Sequence, residues 1–318
     1  MKLFNVFISL TLISLSLCAI DRALYDEIKA KAPFEVMSYE EHVEIFKNRE
    51  YIDMNKWNGK NFLLSEEMKL ALEMETQKSF LADEPILKDI VLPYEFDWRR
   101  QRPECFTPIK DQLYCGSCYS FSVTGVLESR FCIASQGKIK VELSQEDIVT
   151  CDPNNLKCHG DRLDNTWKYL ETTGTCTLAC KPYASGYGDV AACSNSCANP
   201  MVPFYRYRAK PGSWRIMNNA SQIKYEIYTK GPVSAGMATY EDFSTYKGAI
   251  YIHTVGKQTD HHAISIVGWG YDPTYKSEYW IIRNSWNEKW GEKGYGKILF
   301  GMYEIETMVN ASEPLNMQ

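Results

Sequence analysis

The chain has 318 residues, of which 45% are hydrophobic and 24% are charged, and its formal net charge at pH 7 is −5. This composition is ordinary for a soluble globular protein, and it supports one domain with accessory segments or two modest domains. The slight negative charge provides no basic field for binding nucleic acid, so we expect no nucleic-acid partner.

The N-terminus predicts a secretory signal. After Met1 and Lys2 comes the apolar run LFNVFISLTLISLSLCA, which contains several Ser and Thr residues and is short for a membrane span. We interpret residues 1–19 as a signal peptide cleaved near Ala19, with an uncleaved anchor as the alternative. We therefore expect the protein in the secretory pathway, in a lysosome or vacuole or outside the cell, with no membrane span after cleavage.

Residues 20–91 differ from the more C-terminal part of the chain, because they contain many charges and no cysteine. Ser38 and Glu41 fit a capping box ahead of an amphipathic helix, and a second helix is expected over about residues 65–77. Such a helical leader is typical of a propeptide. The alternative is a small N-terminal domain with a function of its own.

The remainder changes character along its length. Of the eleven cysteines, Cys18 lies in the predicted signal and the others lie between Cys105 and Cys197, where the chain is rich in helix and loop. After Pro211, β-branched and aromatic runs predict strands at 250–253, 263–269, 279–283 and 297–300, and one helix is expected over 221–229. The sequence thus predicts an α+β fold in which a helical lobe faces an antiparallel sheet or barrel across a cleft.

The stretch QLYCGSCYSF, residues 112–121, contains a candidate nucleophile. The apolar pattern after it predicts a helix with Ser117 as the N-cap, so Cys118 would lie in the first turn. Amide groups and the dipole at a helix N-terminus favour thiolate over thiol. The alternative is that Cys115 and Cys118 form a redox or metal-binding pair.

The motif Cys115-Gly116-Ser117-Cys118-Tyr119 resembles the nucleophile signature of the papain-like cysteine proteases. The resemblance covers about 92–309 and implies the two-lobed papain fold, with a protease domain over 92–318 after a propeptide over 20–91. It further implies a hydrolase that needs no metal and no organic cofactor.

Further stretches carry the same resemblance. DHHAISIVGWG is similar to the family's histidine strand and assigns His262 as the general base, with His261 as the competitor. IIRNSWNEKWGEKGYG implies that Asn284 orients the histidine and that Trp286 shields their hydrogen bond from water. Gln112 corresponds to the glutamine that binds the oxyanion together with the backbone N–H of Cys118.

The cysteine pattern resembles that of the cathepsin B-like branch. The resemblance implies four disulfides and leaves Cys176 over as a further thiol. The implied pairs are Cys105–Cys132, Cys115–Cys158, Cys151–Cys193 and Cys180–Cys197.

Three departures from the family patterns bear on activity. Only twelve residues, with no histidine, separate Cys180 from Cys193, so the occluding loop of cathepsin B is expected to be absent. Tyr119 replaces the more usual Trp, in a stretch similar to cathepsin C. The family's substrate-binding Gly-Gly reads Gly160-Asp161, which brings a carboxylate toward the peptide.

Met308 aligns with the residue at the floor of the S2 pocket, where a flexible thioether predicts acceptance of Leu, Val or Phe and poor acceptance of Arg. The hypothesis is an endopeptidase zymogen that acts on peptides or proteins and is inhibited by its own propeptide and by cystatin-like proteins. The alternatives are a catalytically impaired binding protein, an aminodipeptidase of cathepsin C type and a disulfide-exchange enzyme.

Overall fold

The computed structural model describes residues 19–46, 74 and 90–315. Apart from Ala19, the predicted signal peptide lies outside these residues. The helix predicted over about 65–77 also lies outside them, apart from Met74, which is helical.

The described part of the leader contains two helices joined by a short strand. These are α1 (Arg22–Lys31), β1 (Glu35–Val36) and α2 (Tyr39–Phe46). The predicted capping box is present at the start of α2, because the Ser38 N–H donates to Glu41 Oε2 at 2.9 Å and the Glu41 N–H donates to Ser38 Oγ at 3.1 Å. These two bonds satisfy amide donors that a helix N-terminus otherwise leaves unpaired.

The leader docks on the body of the protein through this strand. β1 pairs antiparallel with β5 (Tyr246–Gly248). The Phe34 ring packs against Tyr246 and Tyr251, at centroid distances of 5.9 and 5.3 Å. The leader therefore contributes to the apolar core of the second lobe.

The first lobe is helical, as predicted. It contains α3 (Trp98–Gln101), α4 (Cys118–Ala134), α5 (Gln145–Cys151) and α6 (Leu163–Thr172), with short 3₁₀ helices at Pro103–Cys105, Lys157–His159 and Ser185–Tyr187. Fourteen of the seventeen residues of α4 are buried. α4 is buried nearly all round because it packs on α6 on one side and on the second lobe on the other.

The second lobe is built on an antiparallel sheet. Its strands are β2 (Phe96–Asp97), β3 (Arg215–Met217), β4 (Val233–Tyr240), β6 (Gln258–Asp272), β7 (Ser277–Arg283), β8 (Tyr295–Leu299) and β9 (Val309–Ala311). They follow the order β3-β9-β4-β6-β7-β8, with β2 paired to β6. The helix α7 (Ala220–Lys230) and the 3₁₀ helix Glu241–Thr245 complete the lobe.

Four of the five predicted elements in this lobe agree with the structure, and the strand predicted at 250–253 is wrong. Only Tyr251 pairs there, as an isolated bridge to Ile298. Ile250 and Tyr251 form an apolar run because both are buried in the core, where they are 3% and 1% exposed. They do not extend the sheet.

Arg130 of α4 joins the two lobes. Its guanidinium is fully buried and donates to Glu226 Oε1 of α7 at 2.8 Å, to the Pro232 carbonyl at 2.8 Å and to the carbonyls of Gly231 and Ser312 at 3.2 Å. The buried charge is thus both paired and hydrogen-bonded, as its removal from water requires.

Four disulfides cross-link the first lobe, and they join the same pairs of cysteines that the resemblance implies. They are Cys105–Cys132, Cys115–Cys158, Cys151–Cys193 and Cys180–Cys197. Among the described cysteines, Cys118 and Cys176 remain outside disulfides, and both are buried. In the described ranges, no helix has both the length and the apolar character needed to cross a membrane.

The Arg130–Glu226 pair predicts an asymmetric response to substitution. Glu226→Ala leaves an uncompensated buried guanidinium, so we expect the free energy of unfolding to fall by about 3–5 kcal/mol. Lys210→Ala removes an ion pair with Glu313 in which the lysine is exposed, and should cost less than about 1 kcal/mol. Urea unfolding of both variants measures the difference, and equal stability would contradict the role of Arg130.

Candidate active site

Cys118 is the first residue of α4 and is 8% exposed. Burial raises the pKa of its thiol to about 11. The backbone amide of Ala263 in β6 lowers the pKa most, and the amides of Tyr119 and Cys118, at the start of α4, lower it through the helix N-terminal effect that the sequence predicts. Burial is the stronger effect, so this environment favours the thiol over the thiolate.

Ser117 is the N-cap residue of α4, but its side chain does not cap the helix. Its hydroxyl pairs instead with the Tyr183 hydroxyl at 2.8 Å, and the Tyr183 hydroxyl donates to the Gln112 carbonyl at 2.9 Å. The predicted N-cap position is therefore confirmed, but the side chain of Ser117 makes no capping bond. The serine instead ties the turn before Cys118 to Tyr183, a residue that the sequence did not single out.

His262 of β6 lies beside Asn284, just beyond the end of β7. Its Nε2 is 2.7 Å from Asn284 Oδ1, and Oδ1 also accepts the Ser285 backbone N–H at 2.8 Å. Because Oδ1 is an acceptor, Nε2 carries the proton, and Nδ1 is the nitrogen that can take up another. The arrangement fixes both the tautomer and the orientation of the ring.

Trp286 shelters this hydrogen bond. Its ring stacks on the His262 ring at a centroid distance of 4.7 Å and an interplanar angle of 30°. The predicted relation of His262, Asn284 and Trp286 is therefore present in the geometry. His261 points elsewhere, because its Nε2 pairs with Glu304 at 3.0 Å on the surface.

Gln112 is brought to the same site by Ser285. The glutamine Oε1 accepts from Ser285 Oγ at 2.7 Å, and its Nε2 donates to the Cys115 carbonyl at 3.0 Å. These bonds orient the side-chain amide next to the turn that carries Cys118. Ser285 was not predicted, although its position directly after Asn284 could have suggested it.

Cys115 is bonded to Cys158 and not to Cys118, so the C-x-x-C pair is not a dithiol in this structure. The Gly116 N–H donates to the Cys158 carbonyl at 2.8 Å. A Cβ at Gly116 would lie 2.5 Å from that carbonyl oxygen, so the close approach requires glycine. The disulfide and this contact hold the loop with Gly160 and Asp161 beside the nucleophile turn.

The Asp161 carboxylate is bound by the helix that follows it, α6. It accepts from Asn165 Nδ2 at 3.2 Å and from Thr166 Oγ1 at 3.0 Å, both in α6. Burial raises its pKa to about 6, so the carboxyl titrates in the mildly acidic range. Gly160, at φ 97°, makes the turn before it.

Met308 is half-buried just before β9. The following residue, Val309, pairs with Ala235 of β4, and Met237 of the same strand pairs with His262. Met308 therefore lies on the sheet that carries His262.

The leader reaches this site through α2. The Phe46 ring lies edge-on to the Trp286 ring at a centroid distance of 5.5 Å. Glu41 pairs with Lys247 at 3.2 Å and Glu44 pairs with Lys289, so ion pairs flank the aromatic contact. Trp286 thus contacts both His262 and the leader.

Comparisons with known proteins identify the family. The model of the papain family cysteine proteases matches residues 92–313. The chain is 38% identical over 249 residues to cathepsin B-like cysteine proteinase 4 of Caenorhabditis elegans, covering 69% of this chain and 73% of the relative. It is 36% identical over 209 residues to cathepsin B-like CP3 of Giardia intestinalis, covering 65% and 69% of the two chains.

Solved structures agree with the sequence relatives. Procathepsin B S9 from Trypanosoma congolense matches with a TM-score of 0.67 at 27% identity, over 72% of this chain and 80% of that one. The digestive procathepsin L2 proteinase from Tenebrio molitor larval midgut matches with a TM-score of 0.59 at 27% identity, over 71% and 69% of the two chains. The α+β fold predicted from the sequence is thus confirmed, and the chain belongs to the papain family of cysteine proteases, as a cysteine peptidase with cathepsin B-like relatives.

Proposed function

We propose that the protein is the zymogen of a cysteine endopeptidase in which Cys118, His262, Asn284 and Gln112 carry out catalysis. The observation that carries the proposal is the 2.7 Å contact between His262 Nε2 and Asn284 Oδ1 beneath Trp286. The amide of Ala263, the neighbour of His262, lies against the Cys118 sulfur, which supports pairing of this thiol with this imidazole.

In the acylation step, His262 Nδ1 takes the proton from the Cys118 thiol, and the sulfur attacks the peptide carbonyl carbon. The carbonyl oxygen becomes an oxyanion that accepts from Gln112 Nε2 and from the Cys118 backbone N–H. The imidazolium then gives its proton to the leaving nitrogen, the C–N bond breaks, and a thioester remains on Cys118.

In the deacylation step, water attacks the thioester carbon and gives a proton to His262. Collapse of the second tetrahedral intermediate breaks the C–S bond, releases the acid and returns the proton to the sulfur. Asn284 serves both steps because its carbonyl oxygen stabilises the protonated ring and holds it in one orientation. Trp286 keeps water from competing for that hydrogen bond.

Substrate selection is assigned to Gly160, Asp161, Trp286 and Met308. Met308 supplies an apolar, adaptable S2 floor, which favours Leu, Val or Phe at P2 over Arg. Because the Asp161 carboxylate is held by Asn165 and Thr166, peptide binding past Gly160 is compatible with its presence. The short segment between Cys180 and Cys193 favours endopeptidase action over carboxydipeptidase action.

Residues 20–91 act as an inhibitory propeptide, after removal of a signal peptide over residues 1–19. The docking of α2 on Trp286 supports this role. Four disulfides are compatible with an oxidising compartment, a lysosome, a vacuole or the extracellular space. Cystatin-like proteins are further expected inhibitors, since they are inhibitors typical of this family.

Two alternative functions predict different results in a hydrolysis assay. A catalytically impaired homologue acting as a binding protein would fold identically and hydrolyse nothing, with Asp161 and Tyr119 as the departures that favour it. An aminodipeptidase of cathepsin C type would cleave only from a free N-terminus, and a leader of this length is short for the exclusion domain that this requires.

Substitution of the nucleophile tests the proposed function. After acid activation, the wild type should hydrolyse a fluorogenic peptide with Leu or Phe at P2 and cleave an N-terminally blocked substrate. It should hydrolyse the Arg-at-P2 analogue poorly. Cys118→Ala should reduce hydrolysis to background, because it removes the sulfur that forms the thioester.

Cys176→Ala is the matched control, because Cys176 is the other described thiol, is fully buried and has a pKa raised to about 11 by burial. It should retain activity. Equal inertness of the wild type and Cys118→Ala after leader removal would contradict the peptidase proposal and favour the binding protein. Cleavage of only unblocked substrates would favour the aminodipeptidase.

His42 makes the leader contact sensitive to pH. The imidazole is fully buried, stacks on Phe46 at 4.9 Å, and has its Nε2 3.0 Å from Ser244 Oγ. Because Ser244 donates its hydroxyl hydrogen to the Glu241 carbonyl, Nε2 is the donor in this contact. A second proton would go to Nδ1, which is buried without a hydrogen-bond partner among the described residues.

Burial accordingly lowers the pKa of His42 from 6.5 to about 4. Because the pKa of His42 is lower when the leader is docked than when it is undocked, the contribution of His42 to docking is complete above pH 6.5. This contribution, roughly 3 kcal/mol in all, is lost as the pH falls to about 4. The flanking carboxylate Glu41, whose pKa is lowered first by the Ser38 backbone N–H and then by Lys247, stays charged over most of this range.

We therefore predict that His42→Phe keeps the leader docked at lower pH. Hydrogen exchange of α2 in the Cys118→Ala protein, which cannot cleave itself, reports docking directly. Protection should fall between about pH 6.5 and 4 in the parent and at lower pH in His42→Phe. His159→Phe, an exposed histidine outside the leader, should behave like the parent. Identical profiles for the parent and His42→Phe would show that this histidine does not control docking.

A further inference from the structure

The chain contains two sequons for N-linked glycosylation that the proposed catalytic chemistry does not use. They begin at Asn219 and Asn310, and both read Asn-Ala-Ser. Such a triplet, with any residue but proline in the middle, is a glycan acceptor in secreted chains. Because the two triplets consist of the same three residue types, their positions in the fold are what distinguishes them.

Asn310 lies in the interior of the sheet. It is the middle residue of β9, where it pairs with Ile216 of β3 on one side and with Ser234 of β4 on the other. The residue is 0% exposed. Its Oδ1 accepts from Trp214 Nε1 at 3.0 Å, and its Nδ2 donates to the Met308 carbonyl at 3.2 Å. Both polar atoms of the side chain are therefore bound within the folded lobe.

A glycan on Asn310 is incompatible with this fold. The sugar would be attached to Nδ2, in a part of the sheet where the hydroxyl groups of a sugar could be buried only at a large cost. The third residue of the sequon, Ser312, is buried as well, and its hydroxyl donates to Glu171 Oε1 at 2.8 Å. Sugars are transferred before folding is complete, so the constraint acts on which modified chains can fold. A chain with a glycan on Asn310 cannot place β9 between β3 and β4.

Asn219 has the opposite environment. It is the N-cap residue of α7, and both Asn219 and Ser221 are exposed. Asn219 Oδ1 accepts the Ser221 backbone N–H at 2.8 Å, so the cap uses the oxygen of the side-chain amide. A sugar is attached to the nitrogen, Nδ2, which this cap does not use. The same side chain can therefore cap α7 and carry a glycan.

We propose that Asn219 is an N-glycosylation site of this protein and that Asn310 stays unmodified in the folded chain. The proposal rests on the secretory routing in the proposed function, through the signal peptide over residues 1–19, and not on peptidase activity. The sugar donor is an oligosaccharide linked to a lipid diphosphate. Asn219 Nδ2 forms a bond to the anomeric carbon and loses a proton. The bond between that carbon and the diphosphate oxygen breaks, and the lipid diphosphate leaves.

Site mapping of the secreted protein tests the assignment. Residues 20–318 with Cys118→Ala, which prevents self-cleavage, are expressed in mammalian cells behind the signal peptide of another secreted protein. The purified protein is denatured and treated with peptide N-glycosidase in heavy-oxygen water, which converts each glycosylated Asn to a heavy-oxygen Asp. Peptide mapping should find the heavy label at position 219 and an unlabelled Asn at position 310.

Two substitutions remove the sequon and leave the helix cap in place. Asn219→Asp keeps a side chain that is as effective as Asn at an N-cap position. Ser221→Ala keeps the capping bond, because the donor in that bond is the backbone N–H of residue 221. Both variants should lose the glycan completely. Ser221→Thr is the matched control, because it retains both the sequon and the cap, and it should keep the glycan.

The absence of a glycan on Asn219 in the secreted protein would overturn the proposal, and so would a glycan on Asn310 or one that survives in Ser221→Ala. The full-length chain with its own signal should give the same map. A glycan that appears only behind the foreign signal would uphold the site and contradict the signal peptide over residues 1–19. None of these readouts uses hydrolysis, so a failure here is distinct from a failure of the proposed peptidase activity.

Discussion

The packing of the N-terminal end of α4 against β6 is the constraint on which the rest of this structure depends. α4 is the central helix of the first lobe, yet its opening residue must meet a strand of the other lobe to place Cys118 beside the His262 segment. The buried Arg130 fixes the far end of the same helix to α7. The two lobes are therefore held in one relative position by contacts at both ends of a single helix.

Trp286 connects the proposed catalytic pair with the leader. Its ring stacks on His262, which is hydrogen-bonded to Asn284, and it also makes a T-shaped contact with Phe46 of the leader. Phe46 in turn stacks on His42, whose burial depends on the absence of a second proton. A change of charge on one leader residue is thereby linked, through two aromatic contacts, to the ring that protects the catalytic pair.

The sequence predicted the fold well, and it singled out His262, Asn284 and Trp286, which the structure brings into contact, because spaced motifs and periodicity are local properties. Cys118 was expected at the start of a helix, and the capping box of Ser38 and Glu41 could be read directly. The strand at 250–253 was mispredicted, because core residues in a loop and in a strand have the same composition. Ser117 is the N-cap residue as predicted, but its side chain does not cap the helix because its hydroxyl pairs with Tyr183, far away in the sequence.

The remaining features depend on tertiary packing and could not be read from the chain. The raised thiol pKa of Cys118 follows from how completely the folded lobes cover it. Asp161 looked like an obstacle in the substrate path, and only the structure gives its partners in α6.

The central claim is that the thiol of Cys118 becomes reactive through His262 once the leader is removed. Labelling with an epoxide-type inhibitor, followed by peptide mapping, measures this directly in the zymogen, the activated enzyme and activated His262→Ala. The account predicts rapid labelling of Cys118 alone in the activated enzyme, and slow labelling in the other two. Equal labelling of the activated enzyme and His262→Ala, or labelling of Cys176 in preference to Cys118, would contradict it.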